Sequence, residues 1–175
     1  DVDYYGTFGK QFLSNSDVGA LLSNPREFRV SRPDNQAFAK GRYFHQSLLE
    51  PEKLKDWEFV DSYSRNTNVY KQAVAESGKE VLMLNKEKEE MDALVEIMTS
   101  NFELYEQMYL NGNKFEVPGV KQFNGVWWKG KADIISNDCI IDLKTTSNIL
   151  DFRYSANKYN YDSQCYIYQN IFGKP

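Results

Sequence analysis

Cysteine is nearly absent: Cys139 and Cys165 are the only two in 175 residues. Two thiols cannot build a disulfide framework or a four-thiolate iron–sulfur cluster, and a cytosolic chain with reduced thiols is the expectation. Long apolar runs are missing too. No stretch approaches the ~18 uninterrupted apolar residues of a membrane-spanning helix. The first residues, DVDYYGTFGK, lack the basic-then-apolar layout of a signal peptide. No repeat, low-complexity tract or linker interrupts the chain. Excess positive charge is also lacking, since the net charge is -4 and the pI near 5.1. That argues against a protein that coats nucleic acid through bulk charge. It leaves room for an enzyme whose carboxylates hold metal ions. The 12 Tyr and 11 Phe suit either a packed small domain or a base-stacking surface.

The length fits one domain spanning residues 1–175, with enough chain for a core. FLSNSDVGALLSNPREFRV reads as a short helix with Ser14 or Ser16 as N-cap, closed at Asn24-Pro25. QAFAKGRYFHQSLLEPEK reads as a second helix ending near Pro51, with Phe38, His45 and Leu48 or Leu49 on one stripe. WEFVD and EVLML are candidate strands. A long helix is expected from Asn85, as N-cap, to Leu110, with apolar residues at helical spacing from Met91 to Tyr109. Asn111-Gly112-Asn113 stops it. Strands follow around KFEVPG, GVWWKGKADIIS and CIIDLK, then a helix from Tyr161 to Phe172. Helices, a compact antiparallel set and a closing helix make an α/β (α+β) plan.

Acidic residues interrupt the apolar runs of KGKADIISNDCIIDLKTT, residues 129–146. Taking Asn137-Asp138 as a two-residue turn, Ser136 faces Cys139, Ile134 faces Ile141, Asp133 faces Asp142 and Lys131 faces Lys144. Alternation then puts Asp133, Asp142, Lys131 and Lys144 on one face, and Ala132, Ile134, Ile141 and Leu143 on the core face. Opposed carboxylates with Cβ atoms ~5 Å apart repel, unless a divalent cation lies between them. A lysine beside that cation can orient or deprotonate water, or neutralise charge on a phosphate. An exposed hairpin face on which lysines simply neutralise aspartates accounts for the same spacing.

Four ordered motifs widen the choice. GRYFHQSLLEPEK resembles a G-x-x-x-H-x-x-x-L-E-P helix, KGKAD a basic-Gly-basic-x-Asp stretch, IIDLKTT a D-x-K-T-T strand, and QCYIY a Q-x-x-x-Y helix. Together with LSNSDVGALLSNPREF, from about Phe12 to Phe172, they resemble the PD-(D/E)XK nuclease superfamily, most closely RecE-type (exonuclease VIII-like) and RecB-type phage or bacterial exonucleases. Ala132 stands where a proline is frequent. RecE-type domains usually continue with another strand and helix past the last motif, so the chain is expected to be a minimal version or a fragment.

The resemblance implies a restriction-endonuclease-like core with a central mixed β-sheet flanked by helices. It implies Mg²⁺- or Mn²⁺-dependent hydrolysis of DNA, as digestion from duplex ends in recombination, in the cytoplasm of a bacterial or phage-infected cell. Other implied partners are a single-strand annealing recombination protein and a homo-oligomeric ring, with no membrane. Single-strand exonuclease, flap or site-specific endonuclease, and a non-catalytic DNA-binding module stay open as alternatives. The implied metal ligands are Asp133, Asp142, His45, the Leu143 carbonyl and Glu116; the implied catalytic residues are Asp133, Asp142, Lys144 and Gln164. Lys131, Thr145, Tyr168 and Ser16 are the candidate DNA contacts. Each has a plainer use. His45 could be a core histidine and Glu116 an exposed strand residue. Tyr168 could pack, and Thr145, Thr146, Ser14 and Ser16 could cap helices. Of Trp127 and Trp128, one must face away from the core, to stack on a base or pack at an edge. Residues 86–90, KEKEE, form a solvated helix face.

Overall fold

The computed structural model of the chain describes residues 2–31 and 33–175. In chain order the elements are α1 (Val2–Tyr5), α2 (Asn15–Ser23), α3 (Gln36–Leu49), β1 (Phe59–Val60), α4 (Asn68–Ser77), β2 (Met83–Leu84), α5 (Asn85–Ser100) and α6 (Phe102–Tyr109). They continue with β3 (Lys114–Phe123), β4 (Val126–Ile135), β5 (Ile140–Ile141), α7 (Phe152–Lys158) and α8 (Tyr161–Phe172). They form two compact units, one from Asp1–Ser31 with Leu110–Pro175 and one from Arg32–Tyr109.

In the Arg32–Tyr109 unit, β1 and β2 pair in parallel, Phe59 with Met83 and Val60 with Leu84. Parallel neighbours need a crossover, and α4 supplies it. Val60, Tyr70, Leu82 and Leu84 bury against Ala73 and Val74. The sequence pattern does not announce α4, because its buried face rests on one tyrosine and small side chains. Its boundaries are marked instead: Thr67 accepts the Tyr70 N–H as N-cap, and Gly78 takes the left-handed conformation at the end. The helix expected over 85–110 is two helices. Asn101 is extended, with ψ 108, and its side-chain oxygen accepts the Leu104 N–H at 3.1 Å. An asparagine that caps a new helix ends the old one. Asn85 is the first helical residue, and Leu84 occupies the cap position. On α3, Leu48 and Leu49 are buried but Phe38 is exposed, leaving Ala39, Tyr43 and Phe44 to complete the buried face.

In the other unit, β3, β4 and β5 form an antiparallel sheet in that order. Asn124-Gly125 joins β3 to β4, both at positive φ (50° and 75°). That is the conformation a two-residue hairpin turn requires. Leu13 adds a short bridge at the other side of β4: its N–H donates to the Trp127 carbonyl, and its carbonyl accepts from Lys129 N–H. Helix α8 lies on β3 and β4 over Gly119 and Gly130, which face each other in the ladder. A Cβ on Gly130 would stand 2.8 Å from the Tyr168 ring, and one on Gly119 would stand 2.5 Å from Ile171. The bare backbone is what admits the helix. Helix α7, Phe152–Lys158, was not foreseen; its face is mostly exposed and carries no periodic apolar stripe. The fold is α/β, as the sequence predicts, with its strands shared between a three-stranded and a two-stranded sheet.

Candidate active site

The hairpin register follows the arithmetic of an Asn137-Asp138 turn. Ile134 pairs with Ile141 and Ile135 with Ile140, and the Ser136 N–H donates to the Cys139 carbonyl at 2.9 Å. Ala132 and Ile134 are 0% exposed and Leu143 5%, so this set faces the core. The ladder stops at Ile141, and that corrects two of the expected pairs. Asp142 and Lys144 run past the strand rather than standing opposite Asp133 and Lys131 within it. The Asp133 carboxylate instead accepts the backbone N–H of Leu143 at 2.7 Å. This bond ties the strand bearing the first aspartate to the segment bearing the second.

Lys131 forms a 2.5 Å ion pair with Glu116 on β3, both side chains mostly covered, so its charge is engaged within the sheet. Glu116 departs from an ordinary strand residue. It has φ 51, and the ladder skips it between the Phe115–Ile134 and Val117–Ala132 pairs. A left-handed glutamate inside a strand is strained by about 1–3 kcal/mol and persists only where surroundings hold it. The conformation turns its carboxylate toward Asp133, and ligand oxygens of the two lie within 4.8 Å. Hard oxygen donors at this separation suit Mg²⁺ or Mn²⁺, which bind carboxylates at about 2.0–2.1 Å. The sequence offers no signal for that φ.

Asp142 is held from two sides. One oxygen pairs with Lys144, and the other accepts Gln164 Nε2 from α8 at 3.1 Å. The lysine ammonium also sits 5.0 Å above the Tyr161 ring. Burial raises the Tyr161 hydroxyl pKa, with Lys144 opposing and Asp142 adding to the rise. Tyr161, expected as the start of the last helix, is a neighbour of the lysine for which the sequence offers no signal.

The other candidates fall into place as follows. Tyr168 packs: its ring closes on Gly130, and its hydroxyl donates to the Lys131 carbonyl at 2.8 Å. Burial, above all, pushes its pKa up to about 12. The packing use weighed for it is therefore present. Ser14 is the N-cap of α2, its N–H and hydroxyl both donating to Asp17. Ser16 is exposed, with its hydroxyl 2.9 Å from that of Ser14. Asp17 already supplies the negative charge this N-terminus favours. Thr145 is exposed, and Thr146 closes a local turn with Asn148. Trp128 stacks on Phe123 at 5.4 Å, while Trp127 is half exposed. His45 lies half-buried on α3, in the Arg32–Tyr109 unit, beside Phe44.

This mixed α/β fold, with Asp133 on one strand, Asp142 and Lys144 after the next and Gln164 on the covering helix, is of the PD-(D/E)XK nuclease-like class. Within that class the chain belongs to the family described as PDDEXK-like domain of unknown function (DUF3799), which it matches over residues 11–174. Its fold is similar to the crystal structure of a protein from Eubacterium rectale named a "putative exonuclease", with a TM-score of 0.62 at 19% identity. That similarity covers 97% of this chain and 65% of the longer protein, so the chain spans about two thirds of its relative's length. No curated protein matches the sequence.

Proposed function

We propose that this chain, acting as one nuclease domain, hydrolyses DNA phosphodiester bonds with a divalent cation, Mg²⁺ or Mn²⁺. The observation that supports it most is the convergence at one sheet end. Glu116 and Asp133 present oxygens within 4.8 Å of each other, and Asp133 is bonded to the backbone between Asp142 and Lys144. Asp133, Asp142 and Glu116, with the Leu143 carbonyl, are the proposed ligands; the histidine motif of the sequence adds His45. A cation held there would polarise the scissile phosphate and acidify a bound water. Lys144 donates to the phosphate or to the attacking water, exchanging part of its bond to Asp142 for one to substrate. Gln164 fixes the orientation of the Asp142 carboxylate while that exchange occurs.

The family likeness read from the motifs favours exonucleolytic digestion from duplex ends of the RecE type, in a recombination setting in the cytoplasm. A single-strand annealing protein and a ring of identical subunits would be the companions of that activity. Incubation with linear duplex, closed circular and single-stranded DNA, each with Mg²⁺ or Mn²⁺, tests the reading. Loss of linear DNA with circular DNA intact is expected, and Lys144→Ala should slow it by about 10²–10⁴-fold. Cutting of circles would make the enzyme an endonuclease. An unchanged rate in Lys144→Ala would remove the lysine from the chemistry.

A further inference from the structure

Downstream of Lys144 the chain exposes a surface that the hydrolytic chemistry does not use. Tyr159 and Tyr161 are two residues apart, a spacing that in a continuous helix points side chains to different faces. Here Asn160 between them is left-handed, φ 53 and ψ 51, which an asparagine tolerates better than most residues. That turn aligns the two rings: centroids 6.0 Å apart and planes within 26°. Lys144 lies over Tyr161 at 5.0 Å, and Lys158 lies over Tyr159 at 5.3 Å. The result is a ladder running from the candidate catalytic lysine outward, through two parallel rings, to a second cation. Its outer ring, Tyr159, is 54% exposed. From Asp142 to Asp162 the chain carries Lys144, Arg153 and Lys158 with Asp142, Asp151 and Asp162, and Lys144 is paired to Asp142, so the cation beside the outer ring is Lys158.

Alternating flat rings and cations match a polyanion that carries flat bases. We propose that Tyr159 is a stacking platform for an unpaired base of the strand being cut, the base taking the place of the Lys158 ammonium over the ring while Lys158 turns to the adjoining phosphate. The substrate is then single-stranded where it enters the site, whether as single-stranded DNA or as the frayed end of a duplex. A paired base would hide its face from the ring. This inference rests on the nuclease reading for its substrate strand, but base stacking is measurable without cleavage.

The test compares wild type, Tyr159→Ala, Tyr159→Phe and Tyr159→Trp by fluorescence anisotropy in Ca²⁺ buffer. The probes are a fluorescein-labelled oligothymidylate, an abasic oligomer of equal length and a blunt duplex. Tyr159→Ala should weaken oligothymidylate binding by about tenfold, the scale of one lost stack. Phe and Trp, which keep a flat ring, should restore it, and the abasic oligomer should bind all four proteins alike. Equal oligothymidylate binding by all four overturns the proposal, as does an equal loss on the abasic oligomer; a ring-dependent loss on the blunt duplex identifies its frayed end as the strand that stacks. Cleavage by the wild type in Mg²⁺ or Mn²⁺ is read separately. If DNA is cut while binding ignores residue 159, the platform is wrong and the nuclease reading stands. Ring-dependent base binding without any cleavage supports the platform and overturns the nuclease reading.

Discussion

Single side chains carry most of what is unusual in this molecule, and they are of two kinds. Glu87 is 4% exposed and receives Arg65 through two nitrogens, at 2.6 and 2.7 Å, together with the Leu84 N–H. Burial pushes its pKa up, but the Arg65 guanidinium and the Leu84 N–H outweigh that and leave it below its ordinary 4.5. A carboxylate depressed on folding contributes stability above the unfolded pKa and loses it as pH falls through the folded one. Thermal unfolding from about pH 7 to about pH 3 should therefore show the wild type weakening below about pH 4.5 through this pair. Arg65→Ala, which strands a buried charge, should destabilise by about 3–5 kcal/mol at neutral pH. This is a structural ion pair. At the sheet end, by contrast, Glu116 holds a left-handed backbone that stability alone does not call for. Glu116→Gln should lower Mn²⁺ affinity, read by calorimetry, and also lower the melting temperature, because it removes the charge partner of the mostly covered Lys131. The sequence could offer Asp133, Asp142, Lys144 and Gln164 as candidates, because D-x-K and Q-x-x-x-Y spacings are local. The partners of Lys131 and Tyr161 were not legible, since they depend on where the ladder ends and on one residue's φ.

Elements meet here where side chains are missing. Gly119 and Gly130 oppose each other on β3 and β4 and receive α8, and α8 in turn delivers Gln164 to Asp142. A methyl group on Gly130 would press on the Tyr168 ring. Gly130→Ala should therefore cost about 1–3 kcal/mol of stability by overpacking, and lower activity as well by shifting Gln164. Urea unfolding beside a cleavage assay reads both, and an unchanged midpoint would show that the helix can yield. At the start of the same helix, Asn160 sets the angle between α7 and α8. Asn160→Gly should be tolerated, whereas a β-branched Asn160→Val should cost about 1–3 kcal/mol and separate the two tyrosine rings. Strands, turns and the helices over 15–23, 36–49 and 161–172 could be read from periodicity and caps. The break at Asn101 could not, because the apolar stripe continues through it, and α4 and α7 could not, because small or solvent-facing residues leave no stripe to find.

Across the whole molecule, Glu116, Asp133, Asp142, Lys144 and Gln164 all belong to the unit of Asp1–Ser31 with Leu110–Pro175. On the proposed nuclease reading, a chain with a net charge of -4 would hold DNA through local cations and a divalent ion rather than through its overall field. Binding should then weaken with salt only to the extent of the few phosphates contacted. Both expectations rest on the proposed holding of a cation by the carboxylates. Isothermal titration of Mn²⁺ into the wild type and into Asp133→Asn measures it directly. The wild type should take up the ion with a clear heat, and Asp133→Asn should lose that binding by at least about tenfold while keeping its fold by circular dichroism. Equal binding by the two proteins, or none by the wild type, would mean that the acids at this sheet end do not hold a cation.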